Sequence, residues 1–531
     1  MISETVIGYR ISKCLHSCLA IAEREGLDII ASSIENVIAN MESPMQLAII
    51  GKVSSSKSTL VNAILGEADV VGTGQMEETF NVSWLKYGPS DSDIIVRFKD
   101  GSSRRVSRAE WKVWSGQQAS TLKDKVKYLE VTYEHEILKT INIIDTPGLD
   151  SAKGTDSKNT INFLSEVRPD AIIMVFTKGL AESTMNVVKE FQGANNNAFN
   201  LSPLNAIGLL SKTDYLWRIN DGNLSPNLKV KRDVIEGNIY TLFPEIKNSL
   251  FTILPICSML GLASSTVTDR DILLLNSLAK TDDNDLREML HSVNDFYDEY
   301  FKTEVSIGER KYLQQKFGLY GIFEAIGLSH KGLLNKDNLK SLYKEISGFD
   351  DFQKCLYAHF GHRSFLIKTQ SASVVISKSC ESQRKSSLPP SKLKLIDSIQ
   401  ESILTCLMGI FEYKQLDFLS KIYGNQMNNV DKSAIEEYKR VCGEYGTSVV
   451  NKLNLMGKPD IGELELASIK RSKDWNAKYQ LSYYKSKESA ELYHMLSASY
   501  DMLAKDIREI GEKEKEARRI INMAEDFFYG N

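Results

Sequence analysis

Gly51-Lys52-Val53-Ser54-Ser55-Ser56-Lys57-Ser58-Thr59 lies between an apolar run, Met45–Ile50, and a helical run, Leu60–Leu65. A strand, a glycine-led loop ending in Lys-Ser and then a helix is the context in which successive backbone N–H groups wrap a phosphate. The helix N-terminus adds a dipole that favours the anion. In this arrangement Gly51, Ser54, Ser55, Ser56 and Thr59 form the cradle, and Lys57 pairs with the β- and γ-phosphates. Ser58 offers its hydroxyl to Mg2+. Such loops usually carry glycine before the lysine, because glycine lets the backbone approach closely. Here that residue is Ser56. The competing reading is a serine-rich helix cap.

Three later segments bear on the choice. Asp145-Thr146-Pro147-Gly148 ends the run Ile141–Ile144. An aspartate there can hold Mg2+ through water, and the Gly148 N–H can sense a γ-phosphate. Ser211-Lys212-Thr213-Asp214 ends the run Ala206–Leu210. Asp214 can accept from the N1 and N2 edge of guanine, with the Lys212 stem over the base; adenine lacks those donors. Ser258, after Phe251–Ile256, fits a loop that closes over the base. Each tetrapeptide alone is common. Four in order, each at the carboxyl end of a strand, mark the ligand edge of an open α/β sheet and predict GTP/GDP with Mg2+. A switch threonine completes the set. Thr79, just before Phe80–Tyr87, is favoured over Thr73 in Gly72-Thr73-Gly74.

Outward from these motifs, apolar runs alternate with helical stretches from residue 44 to about 265. That pattern predicts a mainly parallel sheet with helices on both faces. Eight of the eleven prolines fall between 44 and 255, so the rest of the chain is free to form long helices. Leu286, Leu290, Val293 and Tyr297 form one helical stripe. Leu492, Leu496, Leu503, Ile507, Ile510, Ala517, Ile521 and Ala524 form a longer one, as in a bundle or coiled coil. Residues 1–43 carry two further stripes, broken at Gly26. The expected domains are an N-terminal helical segment (1–43) packing with the stalk, a G domain (44–265) and an extended α-helical bundle or stalk (266–531), hinged near 384–392.

These residues resemble the dynamin superfamily, and within it the bacterial dynamin-like GTPases. Leu60-Val61-Asn62-Ala63-Ile64-Leu65-Gly66, the strand ending Lys86-Tyr87-Gly88 and Asp145-Thr146-Pro147-Gly148-Leu149-Asp150 carry the resemblance. Ser347-Gly348-Phe349 and His359-Phe360-Gly361 extend it into the helices. It implies that GTP-bound G domains dimerise across their nucleotide faces and that helical rearrangement follows, in membrane remodelling or self-assembly. It implies catalytic roles for Lys57, Ser54 and Thr79. Ser54 matches the serine that helps hold a charge-compensating cation, whereas Val53 stands where eukaryotic dynamins carry a water-orienting glutamine. Slow basal turnover follows, and a non-catalytic, nucleotide-gated scaffold binding protein partners is the alternative.

The expected partners are other copies of the chain, a partner dynamin-like protein and a membrane surface. With 25% charged residues and a net charge of −4, no nucleic acid partner is expected. Seven scattered cysteines suggest reduced thiols in a cytoplasmic protein, peripheral at a membrane. Cys14, His16 and Cys18 are read as helix packing in preference to a metal site, and His359 and His362 as ordinary surface or interface residues. Ile403–Phe411, near Lys392, Lys394 and Lys414, is either a membrane-contacting tip or a bundle core, the latter favoured.

Overall fold

The computed structural model describes residues 4–52, 55–68, 70–71, 81–110, 114, 125–148, 169–177, 204–217, 241, 250–361, 363–423, 427, 430–446, 448–482 and 486–529. The chain forms two compact units. One spans Pro44–Leu356; the other joins Met1–Ser43 to Tyr357–Asn531.

The Pro44–Leu356 unit is built on a nine-stranded sheet. Its strands are β1 (Met45–Gly51), β2 (Ser83–Tyr87), β3 (Ile94–Phe98), β4 (Ser103–Val106), β5 (Val126–Tyr133), β6 (Ile141–Asp145), β7 (Ala171–Phe176), β8 (Ala206–Leu210) and β9 (Ile253–Pro255). The spatial order is β4-β3-β5-β2-β6-β1-β7-β8-β9. From β6 to β9 all neighbours are parallel. Every residue of β1, β6, β7 and β8 is buried. Strands covered on both faces read as near-continuous apolar runs, as β7 and β8 do; β1 and β6 each admit one buried amide, Gln46 and Asn142, which pair across the two strands at 3.5 Å. Antiparallel pairing enters at β2–β6, β3–β5 and β3–β4.

This unit does not end where the sheet gives way to helices near 265. Helices Ser258–Thr266, Asp269–Leu278, Lys336–Ile346 and Ile307–His330, the last broken at Gly318 (φ 65°), share one core. Leu260, Leu275, Phe317 and Tyr343 are fully buried there, beside Trp217 and Cys257 of the loops that follow β8 and β9. A part-buried ion pair, Lys316–Asp271 at 2.6 Å, ties two of these helices. Asp271 also closes a capping box with Thr268. The stripe Leu286–Tyr297 belongs to two short helices, Asp283–Met289 and Val293–Phe296. The Ser292 side chain accepts from Asp295 N and starts the second, as a serine N-cap does.

In the other unit, helices Glu4–Arg24 and Asp28–Glu42 pack with Ser364–Arg384 and Pro390–Met408 around Leu15, Cys18, Ile34, Cys380 and Ile399. Gly26, at φ 66°, turns the first pair. Pro390, at the first helical position, starts the helix after the turn at 385–389. Ile403, Leu407 and Ile410 are buried in this core. The 403–411 segment is therefore bundle interior on that face, with Leu404 and Met408 exposed. His359 is buried and stacks on Phe360, so it is no surface residue; His362 lies outside the described residues. Helix Ile461–Ser482 runs antiparallel to the first half of Lys487–Tyr529, with Ser468 Oγ donating to Tyr500 O and Ser472 Oγ to Ser497 O. Leu492, Leu496, Leu503 and Ile507 are buried in that pairing, whereas Ile510 is 52% exposed. Among the described side chains the long stripe is thus buried as far as Ile507 and exposed at Ile510 and Ala517, because helix Ile461–Ser482 reaches no further: Gly511 already lies against Ile461. Among the described residues no helix is long and apolar enough to cross a membrane.

Candidate nucleotide site

The carboxyl ends of β1, β6, β8 and β9 lie on one edge of the sheet, and they carry the predicted residues. Gly51 closes β1 opposite Val175. A Cβ there would lie 2.3 Å from Val175 O, so no larger residue fits. Ser55 follows, buried, and its carbonyl accepts from Ser211 Oγ at 2.8 Å. That bond joins the loop after β1 to the loop after β8. Ser56 takes the left-handed conformation (φ 69°, ψ 28°) and makes no side-chain cap to the helix Lys57–Leu65. The serine-cap reading therefore fails, and the serine adopts the backbone shape that glycine would take freely.

An L-residue in that region costs about 1–2 kcal/mol, whereas glycine carries about 0.5–1 kcal/mol of extra backbone entropy. Ser56→Gly is therefore expected to raise the stability of this unit by up to about 1 kcal/mol, a melting rise of about 2–4 °C by calorimetry. A fall in melting temperature would show that the serine side chain makes a stabilising contact.

Lys57 is buried, and its Nζ donates to Gly51 O (3.1 Å) and Lys52 O (2.8 Å). Burial pushes its pKa down to about 8, against the upward pull of Asp145. Ser58 Oγ donates to Asp145 Oδ2 at 3.0 Å. Asp145, fully buried at the end of β6, has its pKa raised to about 6 by burial, with Lys57 and Ser58 opposing. Its Oδ1 has no hydrogen-bond partner, and neither have the buried Ser55 and Ser258 hydroxyls. Buried polar atoms are nearly always paired, so three orphans on one sheet edge point to a ligand. Asp145 and Ser58 fit Mg2+, as an oxygen-donor pair of the kind that ion takes directly or through water.

Gly148 is buried beyond β6, and Thr59 lies in the first turn of the helix. Lys212 is also left-handed (φ 58°) and its Nζ sits 5.5 Å from the Tyr215 ring centroid. Asp214 has its pKa raised by burial, and its Oδ1 accepts from the Cys257 thiol at 3.4 Å. Ser258 is buried and opens the helix Ser258–Thr266. Val53, Ser54, Thr73 and Thr79 lie outside the described residues.

Two residues quoted within the motifs were given no role from sequence. Thr146 Oγ1 donates to Ile49 O at 2.7 Å, fixing the Asp145 loop to β1. Asn62 clamps Val71 through both N–H and C=O at 2.9 Å, pinning the chain that leads toward Thr73 and Thr79. The signal was available in part: Asn62 and Thr146 are polar residues in otherwise apolar or glycine-proline settings.

Residues 47–191 match the Dynamin family model. Dynamin-like protein 2 of Campylobacter jejuni is 30% identical over 136 residues, 26% of this chain and 22% of that protein. Residues 47–191 are thus similar to the dynamin family's N-terminal domain. Isoniazid-induced protein IniC of Mycobacterium tuberculosis is 24% identical over 457 residues, spanning 84% of this chain and 88% of its own. A solved chain of an oligomerised bacterial dynamin pair, described with long-range sensing and tethering of membranes, covers 99% of this chain and 95% of its own. That match has 14% identity and a TM-score of 0.32. A domain of that family implies a GTPase fold that takes guanine nucleotide, and the matched residues include β1, the 51–59 loop and the loop after β6.

Proposed function

We propose that this protein binds GTP with Mg2+, hydrolyses it slowly when dilute, and couples G-domain dimerisation to rearrangement of its helical segments, in membrane remodelling or tethering or in self-assembly. The observation that carries the reading is the cluster of buried and half-buried polar groups on one sheet edge: Lys57, Ser58 and Asp145 for the phosphates, Asp214 and Ser258 for the base. The backbone of 51–59 cradles the β-phosphate. Lys57 turns from the Gly51 and Lys52 carbonyls to the β- and γ-phosphates, where its charge offsets what develops on transfer. Ser58 and Asp145 would hold Mg2+, which supplies further charge neutralisation when bound. Ser54 and Thr79 complete the charge compensation. Val53 offers no group to align water, so turnover waits on a second copy.

GTP turnover per chain, measured over a rising protein concentration, is expected to increase, with Lys57→Ala flat throughout. Fast, concentration-independent turnover would overturn the dimerisation step. Nucleotide binding with no turnover at any concentration would leave the scaffold reading, which the strained Ser56 favours.

A further inference from the structure

Cys14 on helix Glu4–Arg24 and Cys406 on helix Pro390–Met408 form a reciprocal pair. Cys14 Sγ donates to Ser402 O at 3.7 Å, and Cys406 Sγ donates to Arg10 O at 3.8 Å. Each thiol thus reaches the carbonyl one turn before the other cysteine, so the two helices run antiparallel at this point. Helical side chains lean toward the N-terminus of their own helix. In an antiparallel pair with this offset, the two sulfurs therefore lean toward each other. They are in contact. Both line one cavity with Ile11, Ile376 and Leu407, which gives the Sγ atoms room to turn.

All seven thiols are free, but the geometry favours this pair over its neighbours. Cys18 also touches Cys14, yet it lies one turn along the same helix. Cβ atoms so placed stand about 5–6 Å apart, whereas a disulfide needs about 3.5–4.5 Å. Cys18 and Cys380 are 3% and 0% exposed, out of reach of an oxidant, while Cys14 and Cys406 are half-buried. Arg10 reaches past the end of the Cys406 helix, where a Cβ on Gly409 would lie 3.3 Å from its Nη2. Burial and the neighbouring Cys14 push the Cys406 thiol up to about 11, against the downward pull of Arg10. Cys14 is pushed up further, by its contact with Cys18 and then by burial. Cys406 is thus the readier nucleophile of the two.

We propose that Cys14 and Cys406 are a modification site, a thiol pair that low-molecular-weight disulfides oxidise to an intrachain disulfide, clasping helix Glu4–Arg24 to helix Pro390–Met408. The Cys406 thiol gives its proton to solvent, and its thiolate attacks one sulfur of the small disulfide. The S–S bond of that molecule breaks, and one small thiolate leaves and takes up a proton. Cys14, deprotonated in its turn, attacks Cys406 Sγ, and the second small thiol leaves. The two protein thiols lose two electrons, and the small disulfide gains them and ends as two thiols. The clasp is reversible by the same exchange. While it holds, the two helices cannot slide past each other. The assignment is independent of the nucleotide site.

The test is incubation of the reduced full-length chain with oxidised glutathione, followed by an acid quench, unfolding, alkylation and peptide mapping by mass spectrometry. Two of the seven thiols are expected to escape alkylation, with the Cys14 and Cys406 peptides joined and dithiothreitol separating them. The rate is expected to rise about tenfold per pH unit near neutrality, because the attacking thiolate is scarce there. Cys14→Ser is expected to stop after the first step, with glutathione held on Cys406. Circular dichroism checks the fold of the variant, and the wild-type map stands without it. A folded wild type that keeps all its thiols, that joins other cysteines instead, or that carries glutathione on Cys14 or Cys406 without joining them, would overturn the proposal. So would a Cys14→Ser chain that is folded and leaves Cys406 unmodified.

Discussion

Lys57→Ala is expected to weaken GDP and GTP binding by about 100-fold or more and to abolish turnover, while the protein melts within a few degrees of wild type without nucleotide. Two charge-assisted hydrogen bonds to phosphate are worth about 1.5–3 kcal/mol each, which sets the first figure. The second follows from the burial of the lysine. Its pKa is pushed down to about 8, so the fold gains little from holding that charge inside. Its removal leaves the Gly51 and Lys52 carbonyls without one donor, a cost partly offset by the relieved desolvation. Differential scanning fluorimetry separates the two effects. Wild type at 100 times its Kd gains about 2.7 kcal/mol from ligand, whereas the variant at the same concentration gains almost nothing. A variant that melts far below wild type would instead make Lys57 a structural residue of the loop.

The sheet was legible because strands buried on both faces are mostly apolar: Ala171–Phe176 and Ala206–Leu210 contain no polar residue, and Met45–Gly51 has only Gln46. The edge strand Ser103–Val106 was not. It reads Ser-Arg-Arg-Val, with three of four residues exposed, and needs only backbone pairing to β3. The helices after 258 were legible as helices but not as part of the sheet's unit, since periodicity shows that a face is buried and not against what. The site divides the same way. Lys57, Ser58, Asp145 and Asp214 occupy one edge because motif spacing is tied to strand ends. The Cys257–Asp214 contact and the Ser211–Ser55 bond join residues 43 and 156 positions apart; their pairing depends on strand order, which composition does not encode. Ser56 was visible as a departure from glycine, but its left-handed backbone was not.

Asp214→Asn is expected to lower GTP affinity by about 100-fold and to raise that for XTP by a similar factor. Guanine presents two donors, N1–H and the N2 amino group, to a carboxylate that can only accept. An amide replaces one acceptor with a donor, leaving a repulsive donor–donor pair in a pocket where burial already raises the Asp214 pKa. Charged hydrogen bonds of about 1.5–3 kcal/mol are then lost and a buried donor is left unmatched. Xanthine carries a carbonyl in place of the amino group, so it accepts from the new NH2 while N1–H still meets the amide oxygen. The Cys257 thiol, which donates to Oδ1, favours the amide orientation that puts its oxygen at that position, so the orientation is selected by the protein before the base arrives. Competition of GTP and XTP for a fluorescent nucleotide measures the exchange. If the variant lost both bases equally, Asp214 would serve the loop rather than the base; if it kept GTP, guanine would be recognised elsewhere on this edge, with Ser258, whose buried hydroxyl has no partner, as the next group to replace.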